Sequence, residues 1–496
     1  MNSRRSIALR AAAWLFILIG AMTPEARAAD TPARPNLIIV MPDDVGYGDL
    51  ACLGNPIIQT PALDAFWKQS VRFTDFHVSP TCAPTRAALL TGRHEFKNGV
   101  THTILERERL TLQATTLAQV LQRTGYATGI FGKWHLGDEA EYRPDRRGFD
   151  EVFIHGGGGI GQTYPGSCGD APGNQYFDPA ILHNGKFEKT KGYCTDVFFQ
   201  QALRWIDAKR GAGQPFLACI PLNAAHAPLQ CPEKYIQRHA GKVSDNQARF
   251  FGMIENIDDN FGELLGRLKA WGLEENTLVI FLTDNGGTEG VGTFNAGMRG
   301  GKATPFEGGT RVPSFWRWPA GFRGGADCAA LTAHLDIFPT LAEITGARLD
   351  DATRRQVEGR SLLPLLKNPE AAWPDRVLVT HVGRWPRGQA EQAKFSQCSI
   401  RDRQFSLVNN NSLFDLRADP GQKTNVLAGH PDEVAKLRAA YETWWSEVQP
   451  LLVNEQAVGP KVNPFKKLFW KQFGGGPGGA LRKPVDPAPK KPAGDS

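Results

Sequence analysis

Four separated stretches of this chain share one pattern, and that pattern narrows the fold more than any other feature. Residues 36–41, 126–131, 216–222 and 277–283 are continuous apolar runs. They lack the polar–apolar alternation of a half-exposed strand and suit strands buried on both faces, as in a parallel sheet. Each run leads directly into polar residues: Asp43-Asp44, Lys133-Trp134-His135, Asn223 to His226, and Asp284-Asn285. Helical stretches lie between them, at 61–70, 115–125, about 196–209 and 244–271. In the last, Phe250, Met253, Ile254, Ile257, Phe261, Leu264 and Leu268 recur at helical spacing. This alternation predicts an α/β fold with a mostly parallel central sheet flanked by helices. Ligands bind such sheets beyond the carboxyl ends of the strands, so the four polar endings predict one shared site.

The residue types in those endings carry chemistry. Two adjacent carboxylates, Asp43 and Asp44, repel each other unless a cation sits between them. Asp284 and Asn285 add further oxygen donors, which suit calcium or magnesium rather than zinc. Lys133 and His135 are two residues apart, so on an extended segment they project to one side. Together they can bind an oxyanion and move a proton. His226 follows another strand and can protonate a leaving alcohol. Lys302, in a glycine-rich stretch, can reach an anion. The segment Thr81-Cys82-Ala83-Pro84-Thr85-Arg86 predicts a helix start, with Pro84 in the first turn and Gly92 at the end. Cys82 then stands at a helix N-terminus, where backbone N–H groups favour an anion, and Arg86 lies one turn on.

Cys82-Ala83-Pro84-Thr85-Arg86 followed by Thr91-Gly92-Arg93, together with Gly132-Lys133-Trp134-His135-Leu136-Gly137, closely resembles the motifs of the type I sulfatases of the alkaline phosphatase superfamily. The resemblance spans roughly residues 35–450. It implies an alkaline-phosphatase-like fold with a small antiparallel C-terminal subdomain, and the hydrolysis of a sulfate ester to an alcohol and inorganic sulfate. It implies that Cys82 is converted to formylglycine by a formylglycine-generating enzyme. It implies one divalent cation, Ca2+, held by Asp43, Asp44, Asp284, Asn285 and the modified Cys82. The remaining roles follow as expectations: Asp284 as base, Arg86, Lys133 and Lys302 on the sulfuryl oxygens, His226 as acid to the leaving alcohol, and His135 in sulfate release. The alternatives are a phosphodiester or phosphonate monoester hydrolase of the same superfamily, and a sulfated-glycan-binding protein without catalysis.

The ends of the chain differ from its body. Arg4, Arg5 and Arg10, the apolar run 11–22 and Ala26-Arg27-Ala28 form the pattern of a secretory signal over residues 1–28, predicting a periplasmic or secreted protein without stable membrane insertion. The net charge is +6, yet residues 461–496 hold eight Lys/Arg against two Asp/Glu and residues 1–28 hold four Arg against one Glu. The body is therefore slightly acidic and not a nucleic-acid-binding surface. Domains are expected at 29–375 (catalytic) and 376–455 (antiparallel sheet plus helix), followed by a basic, disordered tail at 456–496. Of the eight cysteines, Cys168 and Cys194 are the expected disulfide. The loops at 94–110, 138–195 and 383–397 are expected to choose the substrate, a sulfated small molecule or glycan; the sequence does not name it, nor the oligomeric state.

Overall fold

The computed structural model describes residues 34–477. The signal sequence expected at 1–28 and the end of the basic tail lie outside the described residues. Ten strands form the main sheet: β1 (Asn36–Met41), β2 (Val71–Phe73), β3 (Ala127–Lys133), β4 (Glu151–His155), β5 (Ala180–His183), β6 (Lys186–Lys189), β7 (Phe216–Pro221), β8 (Thr277–Leu282), β9 (Ser314–Arg317) and β10 (Ala326–Cys328). Their order across the sheet is β10-β2-β9-β8-β1-β7-β3-β4-β5-β6. The five central strands, β8 to β4, are mutually parallel. Antiparallel pairing enters at β9 on one side and at β5 and β6 on the other.

The continuous apolar runs do what burial on both faces requires. Leu37, Ile39 and Met41 of β1 enter one core, while Ile38 and Val40 enter a second on the opposite face. Strand β8 divides the same way, Leu278 and Ile280 against Val279 and Phe281. Helix α1 (Cys82–Thr91) is buried along its whole length and ends where Gly92, at φ 64°, donates its N–H to Ala88. A longer helix, α2 (Cys194–Gly211), and α3 (Asp245–Ala270) cover the other face. A Ser244–Gln247 capping box starts α3, and Phe250, Ile254, Ile257 and Phe261 point into the core. Strands β5 and β6 form a hairpin around Asn184 and Gly185, both at positive φ as a two-residue primed turn requires.

The C-terminal sheet is antiparallel, with β11 (Leu378–His381), β12 (Cys398–Arg401), β13 (Phe405–Val408) and β14 (Ser412–Asp415) in sequential order. Helix α4 (Pro431–Val448) packs Leu437, Tyr441, Trp444 and Trp445 on it.

Two expectations are corrected. All eight cysteines are free, Cys168 and Cys194 included. The Cys168 thiol lies instead beside Thr103 and His135, and that of Cys194 faces Asn223. The tail is also not disordered from 456: Pro464–Phe473 forms helix α5. Its Phe465 and Phe469 are buried beside Phe187 of β6, and Gln472 exchanges two hydrogen bonds with the Phe187 backbone. The helix thus covers a sheet edge that would otherwise stand open. Among the described residues no helix is long and apolar enough to cross a membrane.

Candidate active site

Because β8, β1, β7 and β3 run parallel and adjacent, their carboxyl ends deliver side chains to one place. Asp43 and Asp44 follow β1, Lys133 ends β3, His226 lies beyond β7, and Asp284 and Asn285 follow β8. Asp44 takes a left-handed turn, at φ 62°. From the facing side α1 contributes Cys82 in its first turn and Arg86 one turn later. Lys302 arrives on the loop before Phe306. The structure brings together all ten residues singled out in the sequence, and all but Lys302 and His226 are fully buried.

The contacts are dense. Arg86 donates to Oδ2 of Asp284 from Nε at 3.1 Å and from a terminal nitrogen at 2.7 Å. It also donates to the carbonyl oxygens of Lys133 (2.9 Å) and Leu222 (3.3 Å). Lys133 pairs with Asp43, and Lys302 with Asp44. Asn285 donates to Oδ1 of Asp44 at 3.0 Å. Nε2 of His226 stands 3.9 Å from Oδ2 of Asp44, and its Nδ1 is 2.7 Å from the carbonyl of Ala227. That contact assigns the proton to Nδ1 and turns Nε2 toward the cluster.

The electrostatics show an imbalance. Burial and then the neighbouring Asp43 push Asp284 well above the usual carboxylate range. Asp44 is held well below it: burial works the other way, but Lys302 and His226 prevail. Burial opposes ionisation of the Cys82 thiol as well, yet Lys133 and Lys302 draw it below its ordinary value. One ligand atom each from Asp43, Cys82 and Asp284 lies within 4.8 Å of the others. Oδ1 of Asp43 and Oδ1 of Asn285 are buried without any hydrogen-bond partner. Buried polar atoms are normally satisfied, so these two oxygens are donors left over for a cation. The oxygen-rich set fits a hard divalent ion.

His135 also sits at positive φ, 62°. Its Nε2 is 2.8 Å from the carbonyl of Thr103, which assigns the proton there and leaves Nδ1, buried and unpartnered, as an acceptor. Burial and then Lys133 hold this imidazole well below its ordinary pKa, so it is neutral. The glycine run 156–159 lies in the 138–195 loop expected to choose the substrate. In the structure it is packing space: a Cβ on Gly157 would lie 2.4 Å from the His135 ring, and one on Gly159 would lie 2.8 Å from Nδ1 of His226. Only glycine admits both histidines, and four consecutive glycines beyond a strand were the available signal. His155, which ends β4, was missed. Both its ring nitrogens are buried and unpartnered, and burial, then Lys133 and Arg86, keep it neutral.

Comparison with known proteins agrees with this geometry. The sulfatase family model matches residues 35–347. Human arylsulfatase A is 30% identical over 443 residues, covering 80% of this chain and 84% of the relative. The N-acetylgalactosamine-6-sulfatase of Rattus norvegicus is 31% identical, covering 73% and 71%. Among solved structures, Ps i-CgsB superposes with a TM-score of 0.75 at 27% identity, over 89% of this chain and 97% of that one. A second structure shows Ps i-CgsB in complex with k-i-k-neocarrahexaose. The chain belongs to the sulfatase family and is a sulfuric ester hydrolase.

Proposed function

We propose that this enzyme removes sulfate from a sulfated carbohydrate, using Cys82 matured to formylglycine as nucleophile. The observation that carries this is the convergence of three cations, Arg86, Lys133 and Lys302, on the buried Cys82 beside unsatisfied oxygens. A tetrahedral, singly charged sulfate ester enters such a place favourably, and the same charges stabilise what develops in the transition state. A carbohydrate is favoured by the names of the relatives, an N-acetylgalactosamine-6-sulfatase and a protein bound to k-i-k-neocarrahexaose. The signal pattern at 1–28 supports a place in the periplasm or outside the cell.

Asp43, Asp44, Asp284 and Asn285 would hold one calcium ion, which when bound withdraws charge from the sulfate oxygens. Formylglycine supplies an oxygen nucleophile with a second hydroxyl, whose collapse to the aldehyde expels sulfate. Asp284, pushed up by burial and Asp43, is suited to take the nucleophile's proton. Nε2 of His226 faces the cluster from its more exposed side, where an alcohol would depart, and in the doubly protonated ring it would donate its proton to the leaving oxygen while Nδ1–H stays on the Ala227 carbonyl. Neutral His135 has Nδ1 free to take the proton of the spare hydroxyl. Arg86 binds Asp284 and two carbonyls at once and so fixes the relation of three strand ends.

The test is sulfate release from a panel of sulfated glycans and one aryl sulfate, with matched aryl phosphate and phosphonate esters beside them. The protein is produced with a formylglycine-generating enzyme. Release from a sulfated glycan is expected, and Cys82→Ala should fall by at least about 10³-fold with an unchanged melting temperature. Full activity in Cys82→Ala, or no sulfate release from protein whose Cys82 is shown to be converted, would overturn the proposal.

A further inference from the structure

Other arginines of the 94–110 and 383–397 loops face acids: Arg107 approaches Glu455, and Arg387 approaches Glu106. Arg384 does not. Among the described residues no carboxylate lies within ion-pairing distance of it, and its Nε is buried without a hydrogen-bond partner. A terminal nitrogen of its guanidinium donates to Oγ1 of Thr103 at 3.2 Å. The carbonyl of that same threonine receives the His135 Nε2 proton. A single residue therefore separates this unpaired cation from an imidazole of the reaction centre.

The position is held from both sides. Arg384 lies at φ 63°, a conformation uncommon outside glycine and retained where the surroundings impose it. Its N–H donates to the carbonyl of Thr101 at 3.0 Å. The preceding Gly383 approaches that carbonyl so closely that a Cβ would lie 2.0 Å from it. The following Trp385 is buried, donates from its indole to the Glu455 carboxylate, and accepts from Arg107 through its carbonyl. Burial, then Arg107 and Arg384, press His102 on the facing loop down to about 3. Loops 94–110 and 383–397, which come from different subdomains, meet here.

We propose that Arg384 is a specificity-determining residue that recognises a second oxyanion, a uronic carboxylate or a further sulfate ester, on the sugar beside the one being desulfated. This rests on the sulfatase reading above. The scissile sulfate already has Arg86, Lys133 and Lys302, which leaves Arg384 for a different anion. The terminal nitrogens of its planar guanidinium suit either a carboxylate or a sulfate.

The test uses three disaccharides with the same scissile sulfate, in which the neighbouring sugar is neutral, carries a carboxylate, or carries a second sulfate. Mature wild type should favour one anionic substrate, and which one identifies the source of the anion. Arg384→Ala should lower kcat/KM on that substrate about 10- to 100-fold, mainly through KM, and erase the preference; Arg384→Lys should restore part of it. Equal kcat/KM on all three in wild type, or an equal loss on all three in Arg384→Ala, overturns the proposal. Calorimetric binding of the same disaccharides to Cys82→Ala, with and without Arg384→Ala, reads the contact without turnover. A Kd for the anionic disaccharide weakened by the same factor supports it, and an unchanged Kd overturns it. Absence of sulfate release by wild type would sink the hydrolase reading instead.

Discussion

Two buried clusters in this molecule have similar composition and opposite character. Asp43, Cys82 and Asp284 offer three ligand atoms within 4.8 Å, and so do Asp75, His77 and Glu307. The second cluster is filled from within the chain. Arg401 of β12 donates to both oxygens of Glu307 at 2.9 and 3.1 Å and to Asp75 at 3.2 Å, while His77 takes the other Asp75 oxygen at 2.8 Å. All four carboxylate oxygens have partners. In the first cluster three cations stand on the flanks, and Oδ1 of Asp43 is still unmatched. A group of buried acids is therefore a place for an ion only where the protein's own cations leave oxygens over. The Arg401 knot serves the site indirectly: Glu307 follows Lys302 on one loop, and Gly309 of that loop accepts the N–H of Gly286, next to Asn285.

The largest expected effect separates the clusters by their response to divalent cations. Chelation should abolish sulfate release and lower Tm, and added Ca2+ should restore both. Saturation at about 1,000 times Kd corresponds to about 4 kcal/mol of stabilisation. Asp284→Ala should lose the Ca2+-dependent part of Tm, whereas Glu307→Gln should keep it in full. If Ca2+ raises the Tm of Asp284→Ala as much as that of wild type, the distinction between the clusters is wrong.

Next comes the knot. Arg401→Met leaves Glu307 buried without its cation and Asp75 with His77 alone, at a cost of about 3–5 kcal/mol. Asp75 shows the dependence: burial would raise its carboxyl, and Arg401 with His77 holds it well below the ordinary range. Urea unfolding of Arg401→Met against the triple variant Asp75→Asn/Glu307→Gln/Arg401→Met should recover much of that loss in the triple. A single variant as stable as wild type would show that the knot contributes nothing.

The two clusters were unequally legible in the sequence. The first is announced locally: each apolar run ends in its own polar residues, and parallel pairing of the strands then aligns those endings. Asp43, Lys133, His226 and Asp284 could be read this way without knowing which strand neighbours which. The knot has no such announcement. Asp75 sits in a turn between two short strands, His77 ends the second of them (Phe76–His77), Glu307 opens a one-turn helix (Glu307–Thr310), and Arg401 is more than ninety residues further on. Their meeting depends on how the C-terminal sheet docks, which no local spacing encodes. Arg384 was hidden for the same reason. Helix α5 escaped because a basic, Gly/Pro-rich composition outweighed Phe465, Leu468 and Phe469, whose apolar stripe has meaning only against β6.

A smaller effect concerns pH at the seam between the subdomains. His381 is buried among Phe96, Trp385 and Trp445, and burial lowers its pKa from 6.5 to about 4. The folded state therefore binds fewer protons than the unfolded state between these values. The stability it contributes is present above pH 6.5 and is lost as pH falls toward 4, about 3 kcal/mol in all. Unfolding measured from pH 7 to 4 should show His381→Gln with a shallower decline, by up to about 1.4 kcal/mol per pH unit. Equal slopes would remove His381 from the account.

The smallest effect tests how each cluster holds its histidine. His77 is fixed by charges, His135 by a neutral carbonyl, with the Cys168 sulfur 3.4 Å from the same Nε2. The thiol donates to Thr103 at 3.2 Å, so it shares an acceptor with His135 and does not replace it. Burial, then Glu108, pushes the thiol well above its ordinary value, which makes it a poor nucleophile. Cys168→Ala should therefore cost only about 1 kcal/mol and change kcat by less than about threefold, and reductant should leave the wild-type Tm unmoved because no Cys168–Cys194 bond exists to break. A loss of kcat near that of a His135 variant would mean that the thiol orients the imidazole. The neutral clamp would then be the sulfur as much as the Thr103 carbonyl, and the contrast with the charge-held His77 would need restating in those terms.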